Sequence, residues 1–213
     1  MIDPARLSAF ISSRICHDLV SPVSGVTSAL EMLDEPGDSD MDQQFEELLR
    51  SSALKAASTI QFLRYAYGSL GLQAGTADMH EFKKITENYL HGLKPSIEWD
   101  IATDHLSYSH ARLLMNLIMM AVDTLPRGGV IQARVRNEAA GMTMTVTSRG
   151  ERVKLKDEAA RSVQGIEPED GWKPDNIQPL FAKMICDSLE GEITAKQGED
   201  VAIIMATHIR AEG

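Results

Sequence analysis

Cysteine and aromatic residues are scarce in this sequence of 213 residues. Only two cysteines are present, Cys16 and Cys186, and only 5% of the residues are aromatic. The two cysteines lie far apart and form no CxxC pair, which argues against a disulfide framework or a zinc ribbon and is typical of a reducing cytoplasm. Few aromatic residues beside 11 methionines favour helix packing over a sandwich of aromatic-rich strands. We therefore expect a helix-rich, cytoplasmic protein.

Long hydrophobic runs and an excess of basic residues are also missing. The most hydrophobic run, residues 113–122, is shorter than the roughly 20 residues that cross a bilayer, and the first ten residues, MIDPARLSAF, contain no secretory signal. The formal net charge of −10 is a poor match for nucleic acid or an anionic membrane. We expect no nucleic acid or membrane among the partners, whereas the 43% apolar content is enough for a core.

Two long amphipathic patterns occupy the first third of the chain. After Pro4, a typical first-turn residue, apolar side chains recur at helical spacing over residues 7–33. Residues 34–40, DEPGDSD, have the composition of a turn, and a second helical pattern covers residues 42–70. A helical hairpin cannot enclose its own apolar stripe. We therefore predict that two copies form a four-helix bundle.

The rest of the chain alternates between helical and strand patterns, after a small, polar boundary at residues 71–78. We predict helices at residues 80–92, 109–125 and 177–189, and strands at 97–101, 130–136, 142–147, 193–196 and 201–207. The fold class is α+β, with helices on one face of a mainly antiparallel sheet. The predicted domains are residues 1–73, the hairpin, and residues 74–213, an α/β sandwich.

His17 is predicted to lie outside the apolar face of the first helix. At about 100° per residue, its neighbours on the helical wheel are small hydroxyl residues and one cation: Ser13, Arg14, Ser21, Ser24 and Ser28. Most exposed histidines on helices have no special role. Here, however, Pro22 lies inside the same helix, which costs about 3 kcal/mol and frees the carbonyl of Asp18. With Gly25 and the serines, this favours a flat surface that another protein approaches.

The segment His17-Asp18-Leu19-Val20-Ser21-Pro22 resembles the phosphoacceptor box of two-component sensor histidine kinases. In that class an acidic residue follows the histidine, proline comes five positions after it, and the box lies on the first helix of a dimeric hairpin. The resemblance implies that His17 is the phosphoacceptor. It also implies that the domain after the hairpin has the ATPase fold of these kinases.

The second domain resembles that ATPase fold without its chemical groups. Residues 116–129, NLIMMAVDTLPRGG, are similar to its first box, but Met120 replaces the asparagine that holds Mg²⁺, and a thioether is a poor ligand for this hard cation. Ser148 replaces the adenine-binding aspartate, and Arg152 replaces the second glycine of the next box. Residues 175–180 contain no glycine, although phosphate cradles depend on glycine. We therefore expect no bound ATP, cofactor or metal.

A phosphoacceptor histidine on a kinase-like scaffold without a nucleotide site resembles the ChpT-type histidine phosphotransferases of alphaproteobacterial phosphorelays. The resemblance implies a homodimer that accepts phosphoryl groups from the receiver domain of a hybrid histidine kinase. It further implies transfer to the receiver domains of cell-cycle response regulators. The receiver supplies Mg²⁺, so this chain needs no metal of its own.

The resemblance and the helical wheel together assign roles around His17. Its Nε2 atom is expected to accept the phosphoryl group, while Asp18 accepts a hydrogen bond from Nδ1–H and holds the tautomer. Arg14, one turn away, either steadies the phosphate or is a solvated surface cation. The candidates for partner contact are Arg14, Ser21, Ser24, Ser28 and Met32, and Met32 is equally a candidate for the bundle interior. The other histidines are predicted to be structural or solvated: His80, His91, His105, His110 and His208.

Three alternatives remain open at this point. One is a weakly active histidine kinase with unusual ATP contacts. Another is a non-catalytic, kinase-like binding module that sequesters response regulators. The third is a phosphatase for receiver domains, in which Ser21 would position water.

Overall fold

The computed structural model describes residues 2–34 and 39–210, apart from the side chains at positions 39, 70 and 71. Two long helices, α1 (Pro4–Leu33) and α2 (Ser39–Ala66), pack side by side as the predicted hairpin. Asp3 caps α1 by accepting a hydrogen bond of 2.9 Å from the amide of Arg6. The helix α2 ends at Ala66, earlier than the predicted residue 70, and a short 3₁₀ turn follows. The predicted turn at residues 34–40 lies largely outside the described residues.

Beyond the hairpin the chain folds into an α+β unit, which confirms the predicted fold class. Its helices are α3 (Met79–His91), α4 (Tyr108–Asp123), α5 (Asp157–Ser162) and α6 (Gln178–Ser188). Its strands are β1 (Thr76–Asp78), β2 (Pro95–Ile101), β3 (His105–Ser107), β4 (Gly129–Glu138), β5 (Gly141–Arg149), β6 (Glu192–Gly198) and β7 (Val201–Ile209).

Five of these strands form one sheet in the order β2-β4-β5-β7-β6. Its pairs are antiparallel except β2 with β4, which are parallel, so the prediction of a mainly antiparallel sheet is confirmed. Buried residues alternate along β4 and β5 with the period of two that a half-buried strand has: Ile131, Ala133, Val135, Met142, Met144 and Val146. This face packs against α4.

Three short elements were not predicted from the sequence. The strands β1 and β3 pair with each other over three residues, and only Ala77 and Leu106 in them are buried. One buried residue per strand gives no readable alternation. The helix α5 has only six residues, fewer than two turns, so no apolar stripe repeats along it.

The hairpin and the α+β unit share an apolar core. Phe62, Leu63 and Ala66 of α2 belong to the same buried cluster as α4 and the sheet, and the ring of Phe62 stacks on Tyr89 of α3 at 4.1 Å between centroids. A second cluster joins the first turns of α1 to the segment before and within α6: Ile2, Leu7, Phe10, Ile11, Trp172, Ile177 and Leu180. The division into residues 1–73 and 74–213 stays a prediction.

The hairpin also presents large apolar side chains to solvent. Val20, Val23 and Leu30 on α1 are 61%, 51% and 48% exposed, and Leu54 and Ile60 on α2 are 65% and 51% exposed. Several large apolar side chains exposed on the same pair of helices are typical of an interaction surface. None of the described helices is long and apolar enough to cross a membrane.

Candidate functional site

The His17 side chain is 84% exposed on α1, which agrees with the position that the helical wheel predicts. Its Nδ1 atom lies 3.2 Å from Oδ1 of the neighbouring Asp18. No hydrogen-bond partner of Nε2 is found among the residues that the structure describes. If Nδ1 carries the proton, Asp18 accepts it in a hydrogen bond and the lone pair of Nε2 is open to solvent.

Asp18 is much less exposed than its neighbour, because it turns toward Arg14. The Nε atom of Arg14 donates to Oδ2 of Asp18 at 3.2 Å, and the two side chains are only 15% and 18% exposed. The alternative in which Arg14 is a solvated surface cation is therefore wrong. The spacing of four residues between an arginine and an aspartate on a helix already permitted this pair.

A second carboxylate reaches Arg14 from the α+β unit. Asp123, the last residue of α4, places Oδ2 3.6 Å from an Nη atom of Arg14. Burial alone lowers the pKa of Arg14, but the carboxylates of Asp123 and Asp18 outweigh that effect and hold its pKa above the ordinary value. The guanidinium is thus fixed between one carboxylate on its own helix and one on the other part of the chain.

The small residues near His17 divide into two groups. Ser21 and Ser24 are exposed, Ser28 is half-buried and Met32 is 42% exposed, so this side of α1 is open to a partner. Gly25, which we had expected on that surface, faces α2 instead, since a Cβ atom there would lie 2.5 Å from Oγ of Ser52. Pro22 is likewise buried, and α1 continues through it.

His17 borders a cleft between the hairpin and the α+β unit. The cleft has a volume of about 370 Å³ and its lining residues come from several elements: Arg14, His17, Asp123, Lys156, Pro174 and Asp175. The exposed Lys156 just before α5 places a further positive charge at the rim. The lining therefore combines the His17 imidazole with two cations, Arg14 and Lys156, and two carboxylates, Asp123 and Asp175.

The residues that replace the kinases' nucleotide-binding groups are mostly buried or held by contacts within the protein. Met120 is buried, and the hydroxyl of the fully buried Ser148 donates to the carbonyl of Ala121 at 3.3 Å. Arg152 has the left-handed φ of +60° that favours glycine, so the backbone turn is kept while the residue has changed. The cavity lined by Met120 and Asn176 has a volume of about 60 Å³, well below the roughly 300–1,000 Å³ of typical ligand sites.

Asn116, the first asparagine of the kinase-like box, has a structural place. Its Nδ2 atom donates to the carbonyls of Ala66 at 3.0 Å and Arg112 at 2.7 Å, and its Oδ1 accepts from Gln178 at 2.6 Å. The Tyr67 hydroxyl donates in turn to Oε1 of Gln178. The network ties α2, α4 and α6 together. These partners are distant in sequence, so no sequence signal pointed to it.

The other five histidines are distributed over several elements of the α+β unit. His110 is buried and bonds to Ser107 and to the carbonyl of Arg210, at 2.8 Å and 2.9 Å; the remaining four are exposed: His80, His91, His105 and His208. Within the described ranges no group of three or more histidine, cysteine, aspartate or glutamate residues could hold a metal ion. Four histidines are therefore solvated and one is structural.

Comparison with protein families places the chain in a class. The sequence model described as "Histidine phosphotransferase C-terminal domain" matches residues 79–201, more than half of the 213 residues. The chain therefore belongs to the histidine phosphotransferase family, and the resemblance inferred from the sequence is confirmed.

Individual relatives agree with this class. The chain is 28% identical over 181 residues to the protein phosphotransferase ChpT of Brucella abortus (strain 2308), which covers 85% of each chain. The structure of a bacterial phosphotransferase solved at 1.7 Å superposes with a TM-score of 0.86 at 25% identity, over 97% of this chain and 98% of the other.

Proposed function

We propose that this histidine phosphotransferase relays phosphoryl groups between receiver-domain aspartates through His17, without binding ATP, as an intermediate of a cytoplasmic phosphorelay. The observation that carries the proposal is the geometry of His17. Its ring is 84% exposed, its Nδ1 atom lies against Asp18, and its Nε2 atom is accessible to a second protein. Membership in the histidine phosphotransferase family and likeness to ChpT support this role.

The transfer step follows from this geometry. The lone pair of Nε2 attacks the phosphorus of an aspartyl phosphate in line, the N–P bond forms, and the P–O bond to the receiver aspartate breaks with its electrons going to the carboxylate. The Nδ1 proton stays on the ring, where Asp18 accepts its hydrogen bond and stabilises the positive charge that the ring acquires. The reverse reaction on another receiver completes the relay. Such a reaction asks mainly for positioning and charge neutralisation, and the receiver contributes its own Mg²⁺.

The partners are receiver domains, one of a hybrid histidine kinase as donor and those of response regulators as acceptors. The open side of α1 supports docking there, with Ser21, Ser24 and Ser28 as small contact residues and Met32 as an apolar one. The cleft beside His17 leaves room for the receiver loop that carries the phosphate. Arg14 is already engaged by two carboxylates, so its part is to hold the site.

The proposal that no nucleotide binds is supported by the residues at the positions of the kinases' nucleotide site. Met120 offers no oxygen to Mg²⁺, and the Ser148 hydroxyl is bonded to the backbone. The remaining cavity of about 60 Å³ is too small for an adenine ring with its phosphates. The weakly active kinase is therefore the less favoured function, and a titration with ATP and Mg²⁺ should leave the melting temperature unchanged.

A second copy of the chain is the proposed cover for the exposed apolar face of the hairpin. Val23 and Leu30 are seven residues apart, hence on one face of α1, and this face is about 120° around the helix from His17. A four-helix bundle formed there would leave His17 accessible. Sedimentation velocity should therefore show a dimer, and Val23→Lys should give a folded monomer. A monomeric native protein would contradict this part of the proposal.

The test of the relay is phosphoryl transfer in the absence of ATP. A receiver domain labelled on its aspartate with ³²P is mixed with the protein, and we expect acid-labile label on His17. His17→Gln should abolish the label without unfolding the protein, because the side chain faces solvent. His80→Gln is the matched control, since His80 is also exposed on a helix, and should be labelled normally.

Each alternative has a distinct result in the same assay. Label that persists in His17→Gln, or robust labelling by ATP, contradicts the proposal. Loss of receiver phosphate with no phosphohistidine at any time indicates a phosphatase. A binding module that sequesters regulators would keep its cellular effect in the His17→Gln variant.

A further inference from the structure

We infer that Asp123 is a positioning residue for phosphoryl transfer: acting through Arg14, it fixes Asp18 and thereby the accepting edge of His17. The phosphotransfer site would then be built by both parts of the chain, with its last link on α4 of the kinase-like unit. This inference rests on the proposed role of His17 and adds to it the reason why the degenerate unit is needed for the reaction.

Four side chains form a continuous row of polar contacts. Asp123 lies 3.6 Å from Arg14, Arg14 donates to Asp18 at 3.2 Å, and Asp18 lies 3.2 Å from Nδ1 of His17. The two oxygens of Asp18 are divided between neighbours, with Oδ2 on Arg14 and Oδ1 on His17. A carboxylate held at both oxygens cannot rotate without breaking a contact. Its direction toward the imidazole is therefore fixed.

The ring of His17 depends on this row because nothing else holds it. Its side chain is 84% exposed, so packing does not select its rotamer, and in the described part of the chain its only hydrogen-bond partner is Asp18. Arg14 and Asp18 are only 15% and 18% exposed, so their interaction is screened by salt less than an ordinary surface pair. The orientation of the His17 ring is therefore restrained mainly by its polar contact with Asp18.

The place of Asp123 in its helix supports a role beyond stability. It is the last residue of α4, where the partial negative charge of the helix end disfavours a carboxylate. Its side chain is 52% exposed and lies 3.6 Å from Arg14, and the loss of solvent around it raises the pKa of its carboxyl more than Arg14 lowers it, so the charged side chain does not favour folding. Asp123 faces Arg14, and Arg14 holds Asp18. A role in orienting Arg14 therefore explains why an acidic residue lies at this unfavourable helix end.

The test compares Asp123→Asn with Asp187→Asn. Asp187 is a matched control because it also lies in the last turn of a helix, is also 52% exposed and is also paired with a cation, Lys183. Two readouts are followed: the single-turnover rate of transfer from a ³²P-labelled receiver, and the tautomer of His17 from the ¹⁵N NMR shifts of its ring.

We expect Asp123→Asn to slow transfer by roughly 3- to 10-fold and to lower the fraction of His17 that carries its proton on Nδ1. Asp123→Glu, which keeps the charge, should restore both readouts most of the way, and Asp187→Asn should change neither. Transfer and tautomer at wild-type levels in Asp123→Asn would overturn the inference, as would an equal loss in Asp187→Asn. If the native protein never carries label on His17, the proposed function fails instead, and the tautomer shift still decides whether the row of contacts orients the ring.

Discussion

The side chain of Asn116 on α4 donates a hydrogen bond of 3.0 Å to the carbonyl oxygen of Ala66, the last residue of α2. This carbonyl is at a helix end, where it has no partner within the helix. An asparagine within the kinase-like box therefore closes the second helix of the hairpin. It also fastens that helix to the α+β unit.

Replacement of Asn116 should weaken folding strongly. In Asn116→Ala the buried amide of Gln178 loses its acceptor, while the Ala66 carbonyl keeps the Nε–H of Arg112 at 3.3 Å. We expect the free energy of unfolding to fall by about 1–3 kcal/mol. Urea unfolding measures this loss. Asn88→Ala, at an exposed position on α3, should stay within about 0.5 kcal/mol of the native protein. A similar value for Asn116→Ala would contradict the structural role.

Asp18→Asn should affect both transfer and stability. Asp18 lies beside an exposed histidine, but its own side chain is only 18% exposed and is paired with Arg14. Loss of its charge leaves a partly buried guanidinium with the more distant Asp123 alone, so we expect a loss of about 1–3 kcal/mol together with slower labelling of His17. Asp104→Asn, exposed in the turn before β3, is the control. Unchanged labelling in Asp18→Asn would show that Asp18 does not hold the tautomer.

Gly25→Ala separates a partner surface from a packing contact. The new Cβ atom would lie 2.5 Å from Oγ and 3.1 Å from Cβ of Ser52 on α2. The gain of about 1 kcal/mol in helix propensity is opposed by an overpacking cost of about 1–3 kcal/mol, so we expect a net loss of about 1 kcal/mol in chemical unfolding. Ser24→Ala, at the exposed neighbouring position, should change stability by less than about 0.5 kcal/mol. A more stable Gly25→Ala variant would mean that the hairpin tolerates the contact.

The two thiols should differ sharply in reactivity. Burial raises the pKa of the Cys186 thiol from 9.0 to about 12, whereas Cys16 is exposed. Because the thiolate is the reactive form, a disulfide reagent at about pH 8 should modify one thiol of the folded protein, and Cys16→Ser should remove that signal. Equal rates for both thiols would contradict the burial of Cys186.

The same pKa shift predicts a dependence of stability on pH. A raised pKa in the folded state means that the stability contributed by the neutral Cys186 thiol is complete below pH 9 and is lost progressively as the pH rises toward 12. Cys186→Ser removes this titration, since a serine hydroxyl stays neutral. The urea midpoint of the native protein should therefore fall more steeply above pH 9 than that of the variant.

The site could be predicted from the sequence only as far as local geometry determines it. The exposure of His17 follows from its angle on α1, and the pairing of Arg14 with Asp18 follows from their spacing of four residues. Asp123 could not be placed beside them, since it meets Arg14 only after α4 has packed against the hairpin. The surroundings of Gly25 were predicted wrongly for a related reason. From the sequence, a glycine that packs against another helix of the same chain cannot be distinguished from one that faces a partner protein.

The fold shows the same limit. The helices α1, α4 and α6 and the strands β4 and β5 carry periodic patterns long enough to read, and their positions were predicted to within a few residues. β2 pairs in parallel with β4, and Ile97 lies opposite Ile131. This pairing is determined by the packing of whole elements, so it cannot be recognised in the sequence of either strand. The short strands β1 and β3 owe their existence to pairing with each other.

The apolar cluster around Trp172 also has a consequence for the order in which the protein matures during synthesis. Leu7 and Phe10, near the start of α1, are covered by Trp172, Ile177 and Leu180, which leave the ribosome on the order of ten seconds or more later at ordinary rates of translation. Until then the apolar side chains near the start of α1 are not covered by these partners. A ribosome stalled before Trp172 would thus display an incompletely covered hairpin that attracts chaperones, and His17 would reach its finished setting only after Trp172, Ile177 and Leu180 have been synthesised.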